Sequence, residues 1–180
     1  PGEQAQLGSL LLRAIAPDGI VGLRVFDPDR PERVSLTGID AFEPQPAWVL
    51  EGHFTAAAQD ASIAVDRADG SAGSEPLAGT VRFSVHGHEA AISVFPAPAS
   101  GLQATFADAT NGDTTQQFRF LTLPAPATDG HVVVDLNRAY LPPCAFGDGY
   151  LCQLPPAENR LAFAIEAGER FARRRVEATC

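Results

Sequence analysis

Short runs of alternating hydrophobic and polar residues dominate the middle of the chain. In Gly79–Val85 the side chains of Val81, Phe83 and Val85 project to one face of an extended strand, and polar side chains project to the other. Gly87 then reverses the chain and residues 89–95 return, which predicts a β-hairpin.

Similar runs predict further strands at 20–26, 34–39, 49–54, 62–66, 102–107, 117–123, 132–136 and 161–167. An apolar patch at 7–15 fits either a first strand or the tail of a helix, and 169–178 fits a short helix or a frayed end. About nine short strands with frequent turns predict an all-β fold, mostly antiparallel, with at most short terminal helices. A β-barrel-like architecture and a sandwich both fit this pattern.

A chain of 180 residues fits one domain, and neither a linker nor an internal repeat divides it. We therefore predict a single β-rich domain over 1–180. The segment 141–157, rich in proline and cysteine, is expected to cover one end or edge of the sheet.

The charge balance excludes some partners. The formal net charge is −9 and all 13 basic residues are arginine, so a phosphate backbone would be repelled and nucleic acid is not an expected partner. No apolar run is long enough to span a bilayer, so we expect no membrane partner. The pattern predicts neither an oligomeric state nor a particular ligand.

The cysteine content favours a cytoplasmic, soluble protein, because three cysteines are few for a secreted disulfide scaffold of this length. The chain begins at Pro1 and contains no methionine. We therefore expect the N-terminus to be incomplete, which leaves room for a removed signal peptide.

A dense polar cluster follows the apolar run at 132–134. A carboxylate or amide on a core-facing strand is costly unless it is hydrogen-bonded, so these residues either tie down the segment 141–157 or form the floor of a ligand pocket. Asp108 and Thr110 precede a strand that bears Arg119. They either cap the turn at 111–112 or, with Arg119, belong to the candidate pocket. The candidate ligand-binding residues are Asp108, Arg119, Asp135, Asn137, Arg138 and Tyr140.

Cys144 and Cys152 bracket a loop of seven residues. They could be free thiols that pack the loop, a disulfide, or two ligands of a zinc site, although zinc ligands usually lie closer in sequence. We assign Cys144, Cys152 and Asn159 structural roles. His86 and His88 flank Gly87 and are expected to be solvated at the hairpin turn.

Familiar catalytic motifs are absent from the sequence. There is no glycine-rich phosphate loop, no nucleophile elbow and no histidine-rich metal signature, so we expect neither a cofactor nor a metal.

Three segments carry a resemblance to a known family. They are FADATNGDTTQQFRFLTLP at 106–124, DLNRAYLPPCAF at 135–146, and the run from Cys152 through LPPAENRL to AIEAGER. Together they resemble a bacterial family known as domain of unknown function 1684. The resemblance implies a predominantly β fold and no established activity, cofactor or partner.

Three functional hypotheses remain. The first is a small-molecule-binding protein with a polar pocket at the Asp135–Tyr140 cluster, and the second is an enzyme of unassigned reaction that uses Asp135 or Glu166 as acid or base. The third is a structural or interaction module without a site. A cavity above roughly 300 Å³, with the polar groups converging on it, would favour binding or catalysis.

Overall fold

The computed structural model describes residues 2–16, 21–98 and 101–175. Within these ranges the chain forms antiparallel strands, a single turn of α-helix (α1, Pro31–Val34) and 3₁₀ turns, so the predicted all-β class is confirmed. The 3₁₀ turns are Pro46–Trp48, Leu136–Arg138, Pro143–Ala145 and Ala157–Asn159. The strands are β1 (Gln4–Leu7), β2 (Leu10–Ile15), β3 (Gly22–Phe26), β4 (Leu36–Ala41), β5 (Val49–Ala56), β6 (Ser62–Asp66), β7 (Ala72–Pro76), β8 (Gly79–Val85), β9 (His88–Pro96), β10 (Leu102–Phe106), β11 (Arg119–Leu123), β12 (His131–Asp135) and β13 (Glu169–Arg174).

A six-stranded sheet forms the centre of the fold, in the order β11-β10-β9-β8-β5-β12. All of its pairs are antiparallel and it curls into a half-barrel. Its two edges approach each other where Phe120 of β11 and Tyr140 exchange two backbone hydrogen bonds of 2.9 Å.

The alternation in the sequence places the core inside this half-barrel. Val81, Ile92, Val94, Leu121 and Val134 are almost inaccessible to solvent, and each occupies the inward face of its strand. Burying an aliphatic side chain of this size stabilises the fold by about 1.5–3 kcal/mol. The concave face of the half-barrel is therefore filled by side chains.

Three smaller sheets surround the half-barrel. An N-terminal sheet has the order β1-β2-β3, β4 pairs with β13, and β6 pairs with β7. The N-terminal sheet is incompletely covered, since Leu23 and Val25 of β3 are 60% and 49% exposed.

The strand predicted at 161–167 is not a strand. Its alternation is real, because Ile165 and Ala167 are fully buried while Ala164 and Glu166 are exposed. However, the carbonyl oxygens of Ile165 and Ala167 accept hydrogen bonds from the guanidinium of Arg119 rather than from a neighbouring strand. The segment is extended, and its start hydrogen-bonds the backbone at 107–109, but beyond Phe163 side chains take the place of a sheet partner.

Other differences lie in the peripheral elements. The patch at 7–15 is extended in β1 and β2, and β13 occupies the start of the region that fitted a helix or frayed end. β7 was not predicted, because its sequence AGSEP lacks hydrophobic alternation. Residue 20 of one predicted strand and residues 176–178 of the predicted helix lie outside the described residues.

The segment 141–157 runs beside the small sheet of β6 and β7. The amide of Leu154 donates to the carbonyl of Asp66 at 2.8 Å, and the amide of Ala68 donates to the carbonyl of Cys152 at 2.9 Å. Cys152 also packs against Phe118 in a small hydrophobic cluster separate from the main core.

Candidate functional site

Two of the predicted site residues form a buried ion pair. Arg119 begins β11, Asp108 lies just beyond β10, and both side chains are completely excluded from solvent. The guanidinium Nη2 of Arg119 lies 2.7 Å from Oδ2 of Asp108. Burial lowers the pKa of Arg119 below its ordinary value, although the charge of Asp108 opposes this shift.

The other hydrogen bonds of Arg119 go to backbone carbonyl oxygens. It donates to the carbonyl oxygens of Ile165 at 2.9 Å, of Ala167 and of Glu169 at 3.4 Å. Its guanidinium carbon also lies 5.3 Å from the centre of the Phe106 ring. Only its Nε lacks a partner among the described residues. The side chain therefore holds the extended segment 161–169 against the sheet.

Asp108 organises the turn that precedes β11. Its Oδ1 accepts from the amide and the hydroxyl of Thr110 at 2.9 and 2.6 Å, and from the amide of Ile165 at 3.2 Å. The hydroxyls of Thr110 and Thr115 lie 2.7 Å apart, and Asn111 donates to Thr115 at 2.9 Å. Both oxygens of the carboxylate are thus engaged by protein groups.

Asp135 and Asn137 fasten a distant loop. The side chain of Asn137 accepts from the amide of Gln45 at 2.9 Å and donates to its carbonyl at 3.0 Å. Asp135 accepts from the amide and the side-chain nitrogen of Asn137, at 3.1 and 3.0 Å. These two residues connect the end of β12 to the proline-rich approach to β5.

Arg138 and Tyr140 lie apart from these two groups. Arg138 is exposed and makes no ion pair with a described residue. The hydroxyl of Tyr140 accepts from Gln103 at 2.9 Å and lies 3.3 Å from the hydroxyl of Thr122. None of the six candidate residues lines the cavity of about 550 Å³ or the cavity of about 310 Å³, so the pocket at this cluster stays a prediction.

Asn159 takes the place of a strand where β9 and β10 diverge. It is completely buried, and its amide group hydrogen-bonds the amide of Ser93 at 2.7 Å, the carbonyl of Ser93 at 2.8 Å and the carbonyl of Thr105 at 2.9 Å. All three contacts are to backbone groups of the two strands.

A groove of about 550 Å³ lies between the N-terminal sheet and the segment 141–157. One wall consists of residues from β2, β3 and the chain through α1. The other wall, which we call the loop wall, consists of Phe146, Gly147, Gly149 and Tyr150. The hydrophobic lining comes from Leu11, Val25, Phe26, Leu36, Phe146 and Tyr150.

The charges in the groove are unevenly paired. Arg30 forms an ion pair with Glu32 at 2.8 Å, which lowers the pKa of the Glu32 carboxyl and raises that of Arg30. Arg24 instead stacks over the ring of Tyr150, 5.4 Å from its centre, and has no ion-pair partner among the described residues. With Arg33 and Asp27, the lining carries three arginines against two carboxylates in a protein whose net charge is −9.

Arg174 hydrogen-bonds the backbone on both sides of the groove. Its guanidinium donates to the carbonyl of Ala145 at 3.2 Å and to the carbonyl of Glu32. It therefore links the start of the loop wall to α1.

A second cavity, of about 310 Å³, lies at the turn between β8 and β9. His86 stacks on Trp48 with ring centres 4.6 Å apart, and His88 stacks on Phe163 at 4.8 Å. Glu166 also lines this cavity, which we call the histidine cleft. Among the described residues, no three histidine, cysteine or acidic groups are arranged to hold a metal ion.

The residues of the groove were not identified from sequence. The run at 24–33 alternates charges with prolines, which is also typical of a solvated turn. Its partner wall lies more than 110 residues later in the chain, and nothing in a single sequence indicates that the two segments meet.

No helix of the described residues is long and apolar enough to cross a membrane.

Comparison with known proteins identifies a family and a related structure. Residues 34–170 match the model of the family described as protein of unknown function (DUF1684). The solution NMR structure of an uncharacterized protein from Haloarcula marismortui is similar, with a TM-score of 0.64 and 28% sequence identity over 80% of this chain and 82% of that chain. No curated protein matches the chain.

Proposed function

Because the chain belongs to the DUF1684 family, whose function is unknown, we propose its function from the groove: it binds a small anionic molecule with an apolar body. The single observation that supports this most is the guanidinium of Arg24, which lies over the ring of Tyr150 in an apolar lining and has no ion-pair partner among the described residues.

The size and chemistry of the groove support this proposal. Small-molecule sites usually enclose about 300–1,000 Å³, with mostly apolar walls and a few polar groups that orient the ligand. Arg24 offers a planar set of donors that suits a carboxylate, sulfonate or phosphate group. The rings of Phe26, Phe146 and Tyr150 offer surface for the apolar body.

The test uses anilinonaphthalene sulfonate, a fluorescent anion with an aromatic body, and dodecanoate as a competitor. A charge-assisted contact at a partly exposed site is worth about 1 kcal/mol, which corresponds to about fivefold in affinity. We therefore expect Arg24→Leu to weaken binding of both probes about fivefold. Arg82→Leu is the matched control, since Arg82 is exposed on β8, lines neither cavity and should leave binding unchanged.

The same assay examines the pocket predicted at Asp135, Asn137, Arg138 and Tyr140. If Arg138→Leu weakens binding and Arg24→Leu does not, the site lies at that cluster and the groove assignment is wrong. A thermal-shift screen over metabolites would then identify the natural ligand, because a molecule that binds only the folded state must raise the unfolding temperature.

An enzyme of unassigned reaction is the second candidate, and the histidine cleft favours it. Glu166 lines a cavity with His86 and His88, so a carboxylate and two imidazoles face one small space. If a screen of chromogenic esters finds turnover, Glu166→Gln should lower kcat at least about 100-fold. Glu158→Gln is the control and should leave kcat unchanged, because Glu158 is exposed and lines neither cavity.

The remaining expectations also stand as proposals. The net charge of −9 supports the expectation that nucleic acid is not a partner. The cytoplasmic location, the bacterial origin and the single-domain organisation rest on the sequence alone.

A further inference from the structure

Two cysteines flank the loop wall of the groove. Cys144 precedes Phe146 and Cys152 follows Tyr150, so every residue of the loop wall lies between them. Both are free thiols; Cys144 is partly accessible and Cys152 is buried. The function proposed above does not use either thiol.

The two thiols are close enough to be joined. The backbone amide of Cys144 lies 3.2 Å from Sγ of Cys152. Since the amide nitrogen is about 1.5 Å from its own Cα, Cys152 Sγ lies within about 4.7 Å of the Cys144 Cα. The Cα–Sγ distance within a cysteine is about 2.8 Å, so the Cα atoms of Cys144 and Cys152 lie within about 7.5 Å of each other. A disulfide requires about 4.4–6.8 Å between them, so rotation of the side chains and a backbone shift of about 1 Å or less allow the bond.

The backbone of the loop wall is hydrogen-bonded mainly at its ends. Arg174 and the 3₁₀ turn Pro143–Ala145 fix its start, and the hydrogen bonds of Cys152 and Leu154 to the chain at 66–68 fix its end. Among the described residues, no backbone hydrogen bond anchors 147–151. A covalent bond between the two ends would therefore restrict the segment that lines the groove.

We propose that Cys144 and Cys152 form a reversible disulfide that fixes the loop wall and tightens binding in the groove. The regulatory half of this inference rests on the proposed function, whereas the disulfide itself does not. A wall that is already held in its bound conformation loses less entropy when the ligand binds, so the oxidised form should have the higher affinity.

The oxidant is a low-molecular-weight disulfide such as oxidised glutathione. The Cys144 thiolate attacks one of its sulfurs, the S–S bond of glutathione breaks, and one glutathione thiolate leaves. Cys152 then loses its proton and attacks the Cys144 sulfur, which forms the internal disulfide and releases the second glutathione thiolate. Both cysteines are oxidised by one electron each, one glutathione disulfide is reduced to two thiols, and the two protons pass to solvent or to the departing thiolates.

The environment of Cys144 makes this exchange slow at neutral pH. Burial, followed by the neighbouring Cys152 thiol, raises the pKa of Cys144 to about 12. Because only the thiolate reacts, the rate should keep rising through pH 10, without levelling off near the ordinary thiol pKa.

The experiment uses the full chain with Cys180→Ser, since Cys180 lies outside the described residues and would add a third thiol. The protein is incubated at pH 9 with oxidised glutathione, and peptide mapping then searches for a Cys144–Cys152 cross-link. We expect the cross-link to form, to be reversed by dithiothreitol, and to raise Tm by about 5 °C. Failure to find it in folded protein, or cross-linking only between molecules, overturns the proposal.

The effect of the disulfide on binding is measured as the affinity of the reduced and oxidised forms for anilinonaphthalene sulfonate. We expect oxidation to tighten binding about threefold to tenfold, and to have no effect on the Cys144→Ser variant. An intact cross-link with equal affinity in both forms refutes regulation, provided that Arg24→Leu weakens binding to the reduced protein. If Arg24→Leu has no effect either, the proposed function fails while the disulfide stands.

Discussion

The buried pair of Asp108 and Arg119 provides the sharpest test of the architecture. Replacing Asp108 with asparagine keeps an oxygen for Thr110 but turns an amide nitrogen towards the guanidinium, which leaves a buried positive charge unpaired. Replacing Arg119 with methionine leaves a buried carboxylate and removes the donor to three carbonyl oxygens. Breaking a buried pair in this way typically costs about 3–5 kcal/mol.

That loss is large compared with the stability of an ordinary domain, which is about 5–15 kcal/mol. With a urea m-value of about 2 kcal/mol/M, each single variant should unfold at a urea concentration about 2 M lower than the native protein. The double variant Asp108→Asn/Arg119→Met contains neither charge. Its loss of unfolding free energy should be smaller than the sum of the two single losses by about 2 kcal/mol, because no buried charge is left without a partner.

Trp48 is the natural probe for this measurement. It is the only tryptophan, it is 5% exposed, and it packs in the main core, so its fluorescence reports global unfolding in urea. Single variants that lose less than about 1 kcal/mol, or a double variant whose loss is additive, would refute the reasoning. Arg119 would then be free to serve a ligand, as the pocket predicted from sequence requires.

Three further changes test local features of the fold. Asn137→Ala removes two hydrogen bonds to the backbone of the distant loop and should cost about 1–2 kcal/mol in urea unfolding, whereas no loss would mean that the loop is held by other contacts. Gly168→Ala should lower the free energy of unfolding by more than about 2 kcal/mol, because Gly168 has φ +76° and a Cβ there would overlap a backbone carbonyl. Gly70→Ala is the control and should lower it by about 1 kcal/mol, because Gly70 has φ +82° but open space around it. The hydrogen bond and charge of Glu51 raise the pKa of His131 above 6.5, so the NMR titration of His131 should move to lower pH in Glu51→Gln. The stabilisation by this pair is complete below pH 6.5 and is lost as the pH rises through the raised pKa. An unchanged titration would contradict the contact.

The central strands could be predicted because their signal is local. β6 and β8 have the bounds that alternation alone indicates, and β5 and β9 differ only at their ends. In β5, β6 and β8 the more buried residues lie on one face, so the period of two in the sequence is a direct consequence of their position in the sheet, whereas β9 is buried on both faces near its end. β7 lacks such a face, and its sequence therefore resembles a turn.

Alternation does not reveal what accepts or donates the hydrogen bonds of the backbone. The buried positions at 161–167 were identified correctly, yet the carbonyl oxygen of Ile165 accepts a hydrogen bond from a guanidinium 46 residues earlier in the chain. The same limit applies to the groove, where Arg24 meets Tyr150 only through the fold. Contacts between distant segments depend on the arrangement of the sheets, which the pattern left open between a barrel and a sandwich.

The polar residues that look most like a catalytic signature instead complete the sheet. Arg119 binds the carbonyls of an extended segment, Asn159 joins β9 to β10 where they diverge, and Asn137 fastens a loop to β12. Each supplies hydrogen bonds where the half-barrel lacks backbone pairing, so each would stabilise the fold whatever the protein binds.

The match to the family begins at residue 34 and therefore includes these three residues. It also includes the loop wall, but it excludes the opposite wall from Ser9 to Arg33. One side of the groove is thus part of the shared scaffold, while the side that contributes Arg24 and Phe26 is not. If the groove is the binding site, relatives that keep the scaffold but differ in the residues before position 34 should bind ligands of different charge and shape.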